Sequence, residues 1–159
     1  MVKAGYEIAY LAGFFDGEGC VQIVAPHRTS LFLLQLSVNN TRREVLSIFR
    51  KRWGGSIVGP HNRGLNHKPA FTWKVDARHA EKVLRDLFPF LILKRRQAEV
   101  GLKFRELFQS DNILPRGNAD PKKFYKKRFR IMKKRERMYH HMRKLNLRGT
   151  GEYVKKDMI

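Results

Sequence analysis

The sequence predicts an α+β domain, with one antiparallel sheet and its helices on one face, extended at its C-terminal end by a basic helical segment. Three observations lead there. The apolar period of residues 1–110 switches between about 3.6 and 2 in the order αββαββαα. Turn and stop signals separate the periodic stretches: Pro26 to Ser30, Gly54-Gly55, a Gly/Asn/His-rich run before Ala70, and Pro89. Finally, 42% of the 159 residues are hydrophobic and 11 are Phe, enough apolar surface for one core of ordinary size.

In chain order, Tyr6 to Phe15 reads as a helix with Ile8, Leu11, Ala12 and Phe15 on one face and Ala9, Gly13 and Gly17 on another. Cys20 to Ala25 and Leu31 to Val38 alternate as two strands of a hairpin. Thr41 followed by Glu44 has the capping-box spacing and opens a helix through Val45, Leu46, Ile48, Phe49 and Trp53, closed by Gly54-Gly55. Ser56 to Pro60 and Ala70 to Val75 form the second strand pair. Asp76 then caps a helix carrying Ala80, Val83, Leu84 and Leu87, and a last core helix runs from about Lys94 to Phe108. Residues Ser110 to Pro121 break any helical period and divide the chain into a core, 1–110, and an extension, 111–159. Pro121 to Asn146 reads as one or two helices, with Tyr125, Phe129, Met132, Tyr139 and Met142 spaced among thirteen Lys/Arg between Lys122 and Arg148. The aromatic stripe favours an appendage lying on both the core and a phosphate backbone over a plain solvated charged helix.

The charge balance narrows the partner. Lys and Arg number 34 against 14 Asp and Glu, a net charge of +20, and residues 111–159 carry 16 against 5. An excess of this size attracts polyanions, nucleic acid first and a membrane surface second. No apolar run reaches the length of a membrane span and the first residues carry no cleavable hydrophobic segment, so neither secretion nor a membrane partner is expected. The single Cys20 excludes an internal disulfide and a thiolate-rich zinc site, consistent with a bacterial cytoplasm or an organelle interior. The six His lack metal-ligand spacing, and neither a phosphate-cradling GxxxxGK[ST] nor a GxSxG elbow occurs.

The stretch Leu11-Ala12-Gly13-Phe14-Phe15-Asp16-Gly17-Glu18-Gly19 carries the most chemistry. Gly13 and Gly17, four apart, permit close approach of a second helix. Asp16 and Glu18 fall at the helix C-terminus, where the macrodipole disfavours negative charge. They are either solvated acids of a Gly-rich turn or ligands of a divalent cation such as Mg²⁺, which accepts one or two carboxylates plus substrate phosphates.

This nine-residue stretch resembles the motif of the LAGLIDADG homing endonucleases, and it opens that family's αββαββα order over roughly residues 6–108. One motif and no second αββαββ unit resemble the single-motif members, which act as symmetric homodimers on near-palindromic double-stranded DNA. The resemblance implies a metal-dependent, intron-encoded DNA endonuclease, with Mg²⁺ as cofactor and Mn²⁺ able to substitute. It implies that Glu18, at the eighth position, ligates metal at the scissile phosphates and that Leu11, Ala12, Gly13, Asp16 and Gly17 belong to the dimer interface, Asp16 with a structural role near the helix end. Lys94, in Phe90-Leu91-Ile92-Leu93-Lys94, matches a basic residue beside the reacting water. Arg42 fits a second basic role, while the polar water-positioning place falls on Val38 in an ungapped match, with Asn39 adjacent. Some members bind intron RNA as splicing cofactors, and a DNA-binding regulator without catalysis is a further alternative on the same fold.

On this reading the strands supply the recognition surface. Alternation turns Val21, Ile23, Phe32, Leu34 and Leu36 toward the helices and leaves Gln22, Val24, Leu33, Gln35 and Ser37 on the open face, joined by Thr72 and Lys74. A twisted ribbon fits a major groove, where Gln reads adenine and apolar side chains touch thymine methyls. His27, Arg28, His61, Asn62 and Arg63 are expected to extend the contact from the loops.

Overall fold

The computed structural model describes residues 4–25, 32–61, 68–109 and 121–147. Its elements are α1 (Ala4–Glu18), β1 (Gly19–Val24), β2 (Leu33–Asn40), α2 (Arg43–Trp53), β3 (Ser56–His61), β4 (Ala70–Asp76), α3 (Ala77–Leu87), a 3₁₀ turn (Phe88–Phe90), α4 (Arg95–Gln109) and α5 (Pro121–Asn146). The αββαββαα order expected of the core is the order found, and the described residues of the extension form a helix of 26 residues. The four strands form one antiparallel sheet in the order β1-β2-β4-β3.

The alternation of the strands decides which sheet face is covered. Val21 pairs with Leu36 and Ile23 with Leu34, and these residues are buried beneath the helices together with Val38, Trp73 and Val75. Trp73, Phe49 and Trp53 form the aromatic centre, with ring centroids 5.1, 5.6 and 6.4 Å apart. Both indole N–H groups are satisfied, Trp53 donating to Asp86 Oδ2 at 2.7 Å and Trp73 to the Gly54 carbonyl at 2.8 Å, as buried Trp requires. Gly55 is obligatory at that corner: its φ is +88°, and a Cβ there would meet the Lys74 carbonyl oxygen at 2.5 Å. On the helical side, Glu81 on α3 accepts from Arg85 and from Arg105 of α4. Burial opposes ionisation of Glu81, but the hydrogen bonds and charges of these two arginines outweigh it and hold the carboxyl below its ordinary value.

Three local expectations are corrected. The Thr41/Glu44 capping box does not form: α2 starts after Arg42, no side chain caps it, and Asn40 Oδ1 instead accepts the Arg42 N–H at 2.8 Å. Asp76 occupies the N-cap position of α3 without making the capping hydrogen bond. β2 is shifted two residues toward Asn40, because its last residues find partners on β4: Asn39 opposite Thr72 and Asn40 opposite Phe71. That shift bears directly on the site. The boundary expected near Ser110 lies outside the described residues.

The extension helix lies along the free edge of β1 and against α4. Met142 is buried, Tyr139 meets the ring of Phe32 at 5.2 Å, and Asn146 Nδ2 donates to the Val21 carbonyl at 2.8 Å. Arg135 is buried with its guanidinium 3.7 Å from the centre of the Phe108 ring, and its Nη2 donates to the Leu107 carbonyl at 3.3 Å. An edge strand that would present unpaired backbone groups is thereby covered.

Candidate catalytic centre and nucleic-acid interface

The motif stretch ends α1 and begins β1 without a break, so the last helical residue, Glu18, stands directly at the start of the sheet. Gly19 makes this junction possible, since a Cβ there would lie 2.5 Å from both the ring and the carbonyl oxygen of Phe15. Glu18 is exposed and its carboxylate makes no hydrogen bond or ion pair with any described residue. Asp16 behaves in the opposite way. It is 7% exposed and its carboxylate accepts three backbone N–H groups, from Ile92 at 2.7 Å, Leu93 at 3.1 Å and Lys94 at 2.9 Å. Lys94 Nζ donates in turn to the Asp16 carbonyl oxygen. A cation is thus fixed at the negative end of α1, two residues from Glu18, where it offsets the dipole cost that the two acids incur.

Register brings the end of β2 to the same place. Gly19 pairs with Val38, so Asn39 is level with Glu18 as the ladder runs out. Val38 is fully buried on the core side and cannot supply a polar group. Asn39 lies on the open face, where its Oδ1 accepts a short hydrogen bond from Thr72 Oγ1, and this leaves its amide N–H₂ available. Arg42 is exposed at the start of α2, three residues further on. Glu18, Lys94 and Asn39 are therefore gathered at one end of the sheet, with Arg42 beside them in the chain. No group of three or more His, Cys, Asp or Glu capable of holding a metal occurs among the described residues.

The interface residues divide. Leu11, Ala12 and Asp16, expected at a dimer contact, are turned into the chain's own core, because they share the buried stripe of α1 with Phe15. Gly13 and Gly17 lie on the opposite, exposed face with Tyr6, Ala9 and Tyr10, and a Cβ added at either glycine would meet nothing within 4 Å. In the segment that Asp16 holds, Ile92 is 82% and Leu93 73% exposed. Among the described residues of α1, those available to a second helix are therefore Tyr6, Ala9, Tyr10 and the two glycines, not Leu11 and Ala12.

On the open sheet face the register groups Gln22 with Gln35, Val24 with Leu33, and Ser37 with Lys74. Gln22 Nε2 donates to Gln35 Oε1 at 2.8 Å, so the two amides form one polar unit. Leu33 and Val24 are half-buried and Lys74 is exposed, whereas Ser37 and Thr72 are buried between longer neighbours. His61 is exposed at the end of β3; His27, Arg28, Asn62 and Arg63 lie outside the described residues. Sequence reasoning missed Ser56 and Val58, which face Lys74 and Thr72 across the β3–β4 ladder. The pairing register would have found both. Arg143, one of the thirteen Lys/Arg between Lys122 and Arg148, lines a groove of 420 Å³ with Cys20, Gln22 and Val24, a placement the sequence does not give.

No protein-family model matches the chain, and no curated protein matches it. Solved structures do. The homing endonuclease I-CvuI in complex with its target superposes with a TM-score of 0.66 at 22% identity, over 92% of this chain and 85% of that one. The archaeal intron-encoded homing endonuclease I-Vdi141I, complexed with DNA, gives 0.68 at 16% identity over 92% and 88%. The LAGLIDADG homing endonuclease I-SmaMI bound to cleaved DNA gives 0.62 at 16% identity, with 88% of this chain on 45% of that one. The chain has the fold of the LAGLIDADG homing endonucleases.

Proposed function

We propose that the protein is a site-specific endonuclease that cuts double-stranded DNA as a homodimer, using a divalent metal. The observation that carries the reading is the placement of Glu18: an exposed carboxylate without partners among the described residues, at the junction of the motif helix and the open sheet face, beside a lysine locked in place by Asp16. In a chain of net charge +20, a carboxylate facing a phosphate backbone repels it unless a cation intervenes. The similar I-CvuI was solved with its target in the presence of calcium, and with the I-CreI target in the presence of magnesium, where the DNA was not cleaved.

The residues fit such a metal as half of a site. One carboxylate per chain, with the remaining positions filled by phosphate oxygens and water, suits Mg²⁺ and leaves a single chain incomplete. Glu18 of each protomer would hold it, and the bound ion would supply Lewis acidity and an activated water. The chain's own groups do the rest. The Lys94 ammonium stabilises charge accumulating on the phosphoryl oxygens, and the free amide of Asn39 orients water on the open face. Arg42 contributes positive potential along the backbone. The exposed face of α1, with Gly13 and Gly17, packs on its copy and places the two Glu18 carboxylates together. The open sheet face, headed by the Gln22–Gln35 unit, lies in the major groove.

Glu18→Gln tests the reading, because it keeps shape and removes the charge. DNA affinity is expected to persist or rise while cleavage with Mg²⁺ falls by at least about 10³-fold, since an isosteric amide cannot replace a metal-ligating carboxylate. The breaks are mapped by sequencing a randomised duplex library. A variant that cuts as fast as the parent assigns Glu18 no catalytic part.

A further inference from the structure

We propose that α5 is a second DNA-contacting element, an arm that grips the phosphate backbone of duplex DNA beyond the edge of the sheet. The inference rests on the proposed reading of the sheet as a DNA-facing surface, and three observations carry it.

The first is direction. Asn146 bonds Val21, and Tyr139, seven residues earlier, packs on Phe32 at the hairpin end of β1 and β2, so α5 runs antiparallel to β1. Its docked part begins near Ile131. The nine residues from Lys122 to Arg130 therefore reach about 13 Å further at the helical rise of about 1.5 Å per residue. The second is exposure. Every described side chain from Lys122 to Arg130 is exposed, including Tyr125 at 67% and Phe129 at 61%. A helix held only for its packing would not continue for more than two turns past its contacts with so few apolar residues buried.

The third is charge complementarity. Residues 121–147 contain twelve Lys/Arg and one acid, Glu136, which pairs with Lys133 at 3.0 Å. Lys126, Lys127, Arg128 and Arg130 have no acidic partner among the described residues. Six cations between Lys122 and Arg130 repel one another, and a polyanion relieves that repulsion. Arg143 extends the row of cations to the sheet's flank: its guanidinium lies 5.8 Å from the centre of the Tyr139 ring on the same helix, and it lines the groove that also contains Gln22 and Val24. A duplex on the sheet face thus meets α5 along one flank. These contacts reach phosphates, so they add affinity without base preference.

The test is salt dependence with the full chain. Binding to a random-sequence duplex of about 40 base pairs is titrated at several salt concentrations without metal, for the parent and for K126Q/K127Q/R128Q/R130Q; each lost phosphate contact flattens the slope of log K against log salt by about 0.9. A flattening of about 2 to 3.5 per chain, hence about 4 to 7 for the proposed dimer with its two arms, is expected. The charge-preserving K126R/K127R/R128K/R130K variant is expected to keep the parent slope, and helix content of the Gln variant equal to the parent's by circular dichroism excludes loss of helix as the cause. Equal slopes for the parent and the Gln variant overturn the inference while leaving DNA binding by the sheet intact. A Gln variant that loses affinity only for a structured RNA hairpin also overturns it, and assigns the arm to RNA. Failure of the parent to bind any duplex instead overturns the DNA reading of the whole molecule.

Discussion

Asp16 and Glu18 are two residues apart and chemically alike, yet their environments give them different work. Asp16, with three backbone donors at 2.7–3.1 Å, is spent on tying residues 92–94 to the end of α1; Glu18 is left exposed to solvent. A carboxylate holding several N–H groups is costly to replace, because the amides it satisfied are left buried or must find water. Asp16→Asn keeps one acceptor oxygen and loses the charge. Its expected effect is a loss of about 1.5–3 kcal/mol in stability, the range for a hydrogen bond to a charged group. Urea unfolding measures it. Because the same carboxylate sets the backbone that carries Lys94, the variant is also expected to lower the cleavage rate under conditions where it is fully folded. Full activity in a destabilised Asp16→Asn protein would separate Lys94 from the catalytic centre.

At the level of elements, α1 has two faces with two duties, and the sequence separated them only in part. Its periodicity correctly split Leu11, Ala12 and Phe15 from Ala9, Gly13 and Gly17, but the motif as a block suggested that all its small residues meet a partner. Burial assigns Leu11 and Ala12 to the protomer's core and the glycines to its surface. Gly13→Leu should therefore fold normally, since nothing within 4 Å opposes a Cβ, yet weaken a dimer that depends on close helix approach. Sedimentation of parent and variant across a concentration range gives the answer; an unchanged dimer places the contact elsewhere. The strands show the same limit on legibility. Alternation gave the correct faces, whereas the end of β2 depended on β4 offering partners to Asn39 and Asn40, which is tertiary information. Alternation already turns Val38 to the core side; the pairing with Thr72 adds that Asn39 continues the strand on the open face. Likewise the capping box failed because Asn40 turned back onto the Arg42 amide, a local competition that spacing alone does not reveal. The docking of α5 was foreshadowed by its aromatic stripe, but its covering of the β1 edge through Asn146 had no signature in the chain.

For the molecule as a whole, the arithmetic of one Glu18 per chain predicts how mixtures behave. A duplex has two scissile phosphates and the proposed dimer has two carboxylates at its axis, each belonging to a different chain. When parent and Glu18→Gln chains are unfolded together in equal amounts and refolded, random pairing leaves about a quarter of the dimers with two parent chains and about half with one of each. If both carboxylates are needed, double-strand cutting falls to about a quarter of that of an equal quantity of parent dimer, rather than to the half expected when every chain acts alone. The mixed dimers retain both sheets and bind DNA as tightly as the parent, so they compete for target without completing it. Their product distinguishes two arrangements of the centre. If each Glu18 serves one strand, the mixture accumulates nicked duplex in proportion to its mixed dimers. If the two carboxylates share a metal that serves both strands, the mixed dimers cut neither and no excess of nicks appears. Supercoiled plasmid carrying the mapped site reads all three outcomes at once, as linear, nicked and uncut DNA. Cutting at half the parent level without nicking would show that one chain suffices, and would remove both the homodimer and the role of Gly13 and Gly17 from the proposed function.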